Sequence, residues 1–260
     1  MNQVPRYIII GIVMLFLLAS LAQAKLQDGL VLYLPFDEGQ GTAAKDLSGK
    51  NNNGVIKKAE WVNGQFGKAL KFSADDTFVE VPFSDDFKIT EGITLGAWAT
   101  SNSGGFRGII NARKSTYGPF LLQQSSISAG ELGLMLNGGA WTCAQTKNTL
   151  EKNTFHHLVA TYDQKVGEHF YFDGKIDEAL NQAPKGAGLI DAAPNEGIGI
   201  GHNYGMAGRF WDGAIDEVVI YNRALSADEV ATLSKAPMPG ATVEPSGKIA
   251  TAWGMMKKTY

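Results

Sequence analysis

The chain has 260 residues, 44% of them hydrophobic and 19% charged, with 23 Lys and Arg against 26 Asp and Glu for a net charge of −3. That length can bury a large core, and a slight acidic excess without a basic cluster argues against nucleic acid or an anionic membrane surface as partner. The single cysteine, Cys143 in "AWTCAQT", leaves no internal disulfide and reads as a small buried hydrophobe.

The first 24 residues read as a signal peptide. Arg6 supplies a positive start, residues 7–22 are almost wholly apolar, and Ala22-Gln23-Ala24 has the small-x-small form of a cleavage site. The apolar run is shorter than the roughly 20 residues of a membrane-spanning helix. The mature chain is thus expected to begin near Lys25 and to be secreted, or periplasmic in a bacterium. No Cys follows the run, which argues against a lipid-modified N-terminus.

Short β-forming runs then recur at 29–36, 59–62, 69–73, 77–83, 92–100, 108–113, 120–126, 131–137, 140–146, 154–163, 169–174, 198–203 and 213–221, separated by Gly, Asn, Asp and Ser. This punctuation predicts an all-β fold, a sandwich or jelly roll. Asp173-Gly174 in "YFDGKID" is a hairpin-turn signal. One helix is predicted in "LSADEVATLSK", with Ser226 as N-cap, Glu229 completing a capping box, and Leu225 with Val230 as hydrophobic staple. Residues 25–235 form the predicted domain, and 236–260, rich in Pro and Gly at its start, form a linker and tail.

The strand "AIDEVVIY" places Asp216 and Glu217 side by side among apolar residues. Alternation sends neighbouring strand side chains to opposite faces, so at least one carboxylate is expected to face a core. Opposed acids cannot form the close carboxylate pair of a retaining glycosidase. No Glu-x-Asp-x-Glu strand, Gly-x-Ser-x-Gly elbow or His-Glu-x-x-His motif occurs. His156 and His157 are adjacent in a strand and diverge, a poor metal pair. The reading is a binding protein rather than an enzyme, with a divergent glycoside hydrolase as an alternative.

Saccharide sites need aromatic faces beside hydrogen-bonding groups. "GHNYGMAGRFW" (201–211) offers both, and Tyr204, Arg209, Phe210 and Trp211 are the candidate ligand-binding residues. Phe106, Arg107, Arg113 and Tyr117 stand in neighbouring Gly-rich loops. Such aromatics also commonly seal the ends of a sandwich. Trp98, inside an apolar strand, is assigned to the core.

Five blocks together resemble a known family. "LYLPFDEGQGTAAKDLSGKNNNGVI" (32–56), "GKALKFSADDTFVEVP" (67–82), "ITLGAWAT" (93–100), "FHHLVATYD" with "FYFDGK" (155–175) and "WDGAIDEVVIYNRALSADEV" (211–230) are similar, in order, to the LamG-like, concanavalin A-like jelly-roll domains, over about 28–233. The chain departs from many relatives in lacking a Cys pair. The resemblance implies two antiparallel sheets, one concave and one convex, closed by a short C-terminal helix. It implies pairing of the first and last strands, and often a structural calcium there or at a loop rim. Asp37, Asp46 and Asp216 are the candidate calcium ligands, with Glu38 beside them. Otherwise Asp216 would accept backbone hydrogen bonds or pair with a base such as Arg223. The implied partners are a glycan or, alternatively, an extracellular or cell-surface protein.

Overall fold

The computed structural model describes residues 25–73, 76–112, 118–125, 129–136, 140–177, 187–190, 197–203 and 208–238, with backbone only for Ala140 and Trp141. The expected signal peptide and the tail beyond Met238 lie outside the described residues. The strands are β1 (Leu30–Leu34), β2 (Ala43–Ala44), β3 (Gly54–Lys57), β4 (Glu60–Asn63), β5 (Lys68–Ser73), β6 (Phe78–Pro82), β7 (Gly92–Ala99) and β8 (Arg107–Ala112). They continue as β9 (Phe120–Gln124), β10 (Ala129–Leu136), β11 (Ala140–Thr149), β12 (His156–Asp163), β13 (Gly167–Phe172), β14 (Lys175–Asp177), β15 (Gly197–Ile200) and β16 (Asp212–Tyr221). The predicted strands are present, with ends shifted by a few residues. The pattern missed the short β2, β3 and β14, which are too brief to show a period.

Two antiparallel eight-stranded sheets face each other. Sheet A runs β14-β13-β12-β7-β16-β5-β4, with β1 also on β16, and sheet B runs β11-β10-β9-β8-β15-β6-β3-β2. Alternate residues of both sheets fill the space between them. Ile93, Leu95, Ala97 and Ala99 of β7 meet a cluster that includes Phe120, Leu122, Ile198 and Ile200 from sheet B, all fully buried. Burying each such side chain stabilises the fold by about 1.5–3 kcal/mol, before the cost of ordering the chain. This is the two-sheet, concanavalin A-like jelly roll expected from the sequence.

A second apolar cluster covers the outer face of sheet A. Tyr33, Val159, Tyr171, Val219 and Tyr221 lie beneath Leu26, Leu225, Val230, Leu233 and Met238. The helix α1 (Ala227–Leu233) supplies part of that cover. Both halves of the predicted capping box form around Ser226 and Glu229, and Arg223 pairs with Glu229 at 2.8 Å. Asp173 and Gly174 both take positive φ, 51° and 73°, as the two-residue β13–β14 hairpin requires.

Candidate functional site

β16 changes partners along one edge. Asp212–Ile215 pair with β5, and Val218–Tyr221 pair with β1. Asp216 and Glu217 fall at the joint, where the ladder to β7 also slips between Asp216 and Val219. Glu217 there takes a φ of 52°. A bulge of this kind sets two residues opposite one and resets the alternation. Ile215, Val218 and Ile220 therefore face the main core, while Val219 and Tyr221 belong to the outer cluster. The expectation that Asp216 and Glu217 point to opposite faces is corrected: both stand on the outer side of sheet A. What counts against a hydrolytic pair is burial, since Asp216 is 0% and Glu217 8% exposed.

The joint gathers charge. Asp216 accepts a hydrogen bond from the Phe66 N–H at 3.0 Å, and Asp37, just past β1, accepts one from the Lys68 N–H at 2.8 Å. Glu217 accepts from the Tyr33 hydroxyl at 2.6 Å. The second oxygen of each β16 acid, Asp216 Oδ1 and Glu217 Oε1, has no partner among the described residues. Burial first, then the neighbouring carboxylates, push Asp216 up to about 8 and Glu217 up to about 7. Burial likewise raises Asp37. The β4–β5 turn lies so close that a Cβ on Gly64 would come within 2.4 Å of Asp216 Oδ2. A side chain at Gly64 would displace that acid.

The structure thus brings Asp37 and Asp216 together, as the calcium reading requires, but not Asp46. Both oxygens of Asp46 are engaged, Oδ1 by the N–H groups of Tyr33 and Ser48 and Oδ2 by Asn52 N–H and the Ser48 hydroxyl. Asp46 staples the 46–52 loop to β1. The oxygen donors at the joint suit calcium by type. Yet among the described residues no three His, Cys, Asp or Glu side chains are placed to share a metal ion. Asp37 and Asp216 would need backbone carbonyls and water to complete a coordination shell.

The loop picked out at 201–211 lies at one end of sheet B. Tyr204 lies outside the described residues. Trp211 does not face a ligand: it is 0% exposed and its indole N–H donates to the Thr100 carbonyl at 3.1 Å. The loop base explains this, because His202 pairs with Phe210 and the Trp211 N–H bonds the Gly201 carbonyl, turning the next side chain into the core. The Phe210 ring stacks on His202 with centroids 4.1 Å apart. Arg209 lies over Phe106, 4.9 Å from the ring centroid, and Phe106 is 37% exposed. Arg107 donates to the Phe210 carbonyl at 2.7 Å. Among the described residues, Arg209 and Phe106 are accessible side chains of this rim.

Behind the rim runs a row that the sequence reading missed. Asn111 donates to Asn203 at 3.3 Å, and Asn203 donates to Gln123 at 2.6 Å. Gln123 donates to Glu131 Oε1, and Gln145 donates to Glu131 Oε2 at 2.7 Å. Gln123, Glu131 and Gln145 sit directly across β9, β10 and β11 from one another, on the face turned away from the core. Each amide N–H₂ points toward the carboxylate, so one charge orients four amides. Asn111, Gln123, Glu131 and Asn203 are 3–5% exposed, and Gln145 is half-buried. Beyond it, Cys143 is also half-buried on this face opposite Gly133, not in the core as expected. The clue was present in "FLLQQ" and "AGELGLML", where a polar residue interrupts an apolar strand. The registers that align these interruptions were not readable from the sequence.

The family model of laminin G-like domains in the concanavalin A-like lectin/glucanases superfamily matches residues 73–231. The chain belongs to this superfamily. No curated protein matches it in sequence. In structure this superfamily member is similar to the binding domain of Paraclostridial Mosquitocidal Protein 1, with a TM-score of 0.66 at 19% identity, over 80% of this chain and 52% of that one. It is similar to domain 4 of AbnA, an extracellular arabinanase from Geobacillus stearothermophilus solved with arabinotriose (TM-score 0.61, 17% identity, 79% of this chain and 98% of that one). A third likeness is to the ligand binding domain of botulinum neurotoxin serotype D with N-acetylneuraminic acid (TM-score 0.60, 15% identity, 82% and 52%). The chain spans about half the length of the two toxin binding domains. Among the described residues no helix is long and apolar enough to cross a membrane.

Proposed function

We propose that the chain is a secreted, non-catalytic carbohydrate-binding domain that presents the outer face of sheet B to a glycan. The observation that carries this reading is the oriented row from Asn111 through Asn203, Gln123 and Glu131 to Gln145. The buried part of the row holds Gln145, its half-buried end, in place, and a pre-set amide costs little ordering when it meets a hydroxyl group. Gln145 opens the row to the surface at one end, and Arg209 with Phe106 forms the rim at the other. The saccharides bound by two structural neighbours support the class of ligand. A glycosidase would need two carboxylates flanking one bond, and Glu131 is a single carboxylate held on both oxygens.

Calorimetric titration of residues 25–260 with arabino-, xylo- and gluco-oligosaccharides and with sialyllactose tests this. At least one class is expected to bind, and Gln145→Ala, which takes one donor from Glu131 and so lowers the melting temperature, is expected to weaken it about tenfold at a temperature where the variant is folded. Binding only to cell-surface proteins would sink the glycan reading, and release of reducing sugar would sink the non-catalytic one.

The same reading includes a structural calcium ion at Asp37 and Asp216. Millimolar calcium is then expected to raise the melting temperature over EDTA by mass action, and Asp216→Asn to abolish the rise. An equal effect of that substitution in both conditions would count against the ion.

A further inference from the structure

The edge strands of the two sheets meet at β11 and β14, where the Asn148 N–H and side-chain amide both donate to Asp177, at 3.0 and 3.2 Å. Beside this contact lies a cavity of about 490 Å³, between the end of β11 and the β13–β14 hairpin, and none of the residues of the row described above lines it. His156 lines it and is 9% exposed. Its Nδ1 lies 3.0 Å from Asp173, whose other oxygen accepts the His157 N–H. With a carboxylate at Nδ1 the ring donates there, and in the neutral ring Nε2 is then the acceptor. Nε2 is buried and has no partner among the described residues. A buried, unpartnered polar atom costs about 1–3 kcal/mol, so a donor that reached it would be bound with gain.

We propose that this cavity is a second saccharide subsite, with His156 Nε2 accepting a sugar hydroxyl. The inference rests on the carbohydrate-binding reading but on a separate surface. The Asn148 side-chain amide gives one N–H to Asp177, which leaves its Oδ1 and its second N–H to present. Glu151, exposed in the wall, adds a carboxylate. Acceptors thus stand beside the donors Lys175 and the Thr149 hydroxyl, and the ligand must both donate and accept, as a hydroxyl group does. Phe172, packed on His156 with centroids 4.7 Å apart, and Ile176, 64% exposed, supply an apolar wall. A sugar ring combines hydroxyl donors with an apolar C–H face. A phosphate or carboxylate ligand would meet Glu151 and Asp173 at close range and is disfavoured.

The test is an NMR titration of the ¹⁵N-histidine-labelled 25–260 chain with the same oligosaccharide series, reading the ring nitrogens of His156. One series is expected to shift Nε2, and Ile176→Asp, at an exposed position, to weaken that response about tenfold while calorimetry at the sheet B face is unchanged. Gln145→Ala is expected to leave the His156 response intact. Oligosaccharide binding that is abolished by Gln145→Ala and never moves His156 would overturn the subsite and leave the carbohydrate reading standing. A His156 shift that Gln145→Ala removes would overturn it as well, since both effects would then come from one site. Absence of any oligosaccharide binding would overturn both readings.

Discussion

The two sheets bury carboxylates on their outer faces in opposite ways. On sheet B, Glu131 stands in regular ladder register between Gln123 and Gln145, and both its oxygens accept amide hydrogens. On sheet A, Asp216 and Glu217 stand where β16 passes from β5 to β1 and the ladder slips. Each keeps one donor and leaves one oxygen without a partner among the described residues. The difference is one of backbone order. Neighbouring strands in register can deliver side-chain amides to a carboxylate from both sides. At a joint the flanking strands diverge and deliver only what their ends happen to reach, and burial then disfavours the charged form of the acid.

The largest effect is expected from removing the satisfied acid. Glu131→Ala strands two amide donors, one of them fully covered, at about 1–3 kcal/mol each. Urea denaturation should show the loss, and saccharide binding at the sheet B face should fall with it because the four amides lose their common orientation. A Glu131→Ala variant as stable as the parent would mean that the row is not a stabilising network.

A replacement of acid by amide then separates the two faces by sign. Glu131→Gln puts an amide donor against the Gln123 or Gln145 donor and is expected to destabilise. Asp216→Asn keeps an acceptor for the Phe66 N–H and removes a group that burial forces to hold a proton. A carboxyl raised in the folded state contributes stability that is full below its unfolded value and is lost as pH rises from there through the folded value. In EDTA the parent is therefore expected to lose stability as pH climbs from about 6.5 toward 8, through the values of Glu217 and Asp216. His157, which burial lowers to about 4, acts the other way, but only below its ordinary value of 6.5. Melting curves over that range should flatten in Asp216→Asn, and the variant should match or exceed the parent at the alkaline end. An unchanged slope would show that Asp216 does not titrate there.

The fold was largely legible because strand runs, the Asp173-Gly174 turn and the Ser226 capping box are local signals. The candidate site was legible only in part, for identifiable reasons. Asp37 and Asp216 do converge, since pairing of β1 with β16 brings any acids at their ends together. Asp46 was drawn away by four local donors in its own loop. Asp216 and Glu217 defied alternation because a bulge leaves no mark in residue type, and here it falls on a Glu in the left-handed region where a glycine would have announced it. Trp211 was chosen for its Gly-rich surroundings, but the His202–Phe210 pairing that turns it inward depends on long-range register. The row on sheet B depends on the alignment of five segments, and no one of them reveals it.

The smallest effect concerns what covers the sheet A acids. Tyr33 donates to Glu217 and accepts the Met238 N–H at 3.3 Å, just beyond α1, whose Val230 and Leu233 pack on the same outer face. Ser226→Ala removes the capping box and should cost about 1 kcal/mol. Hydrogen exchange of the α1 amides should quicken while β8–β10 amides keep their rates. If the helix also shields the acids, the same substitution will reduce the pH dependence assigned to Asp216 and Glu217, because water reaching the joint weakens the desolvation that raises them. If the pH dependence is untouched while α1 exchanges faster, the joint itself is what excludes water, and its chemistry is independent of the helix that closes the domain.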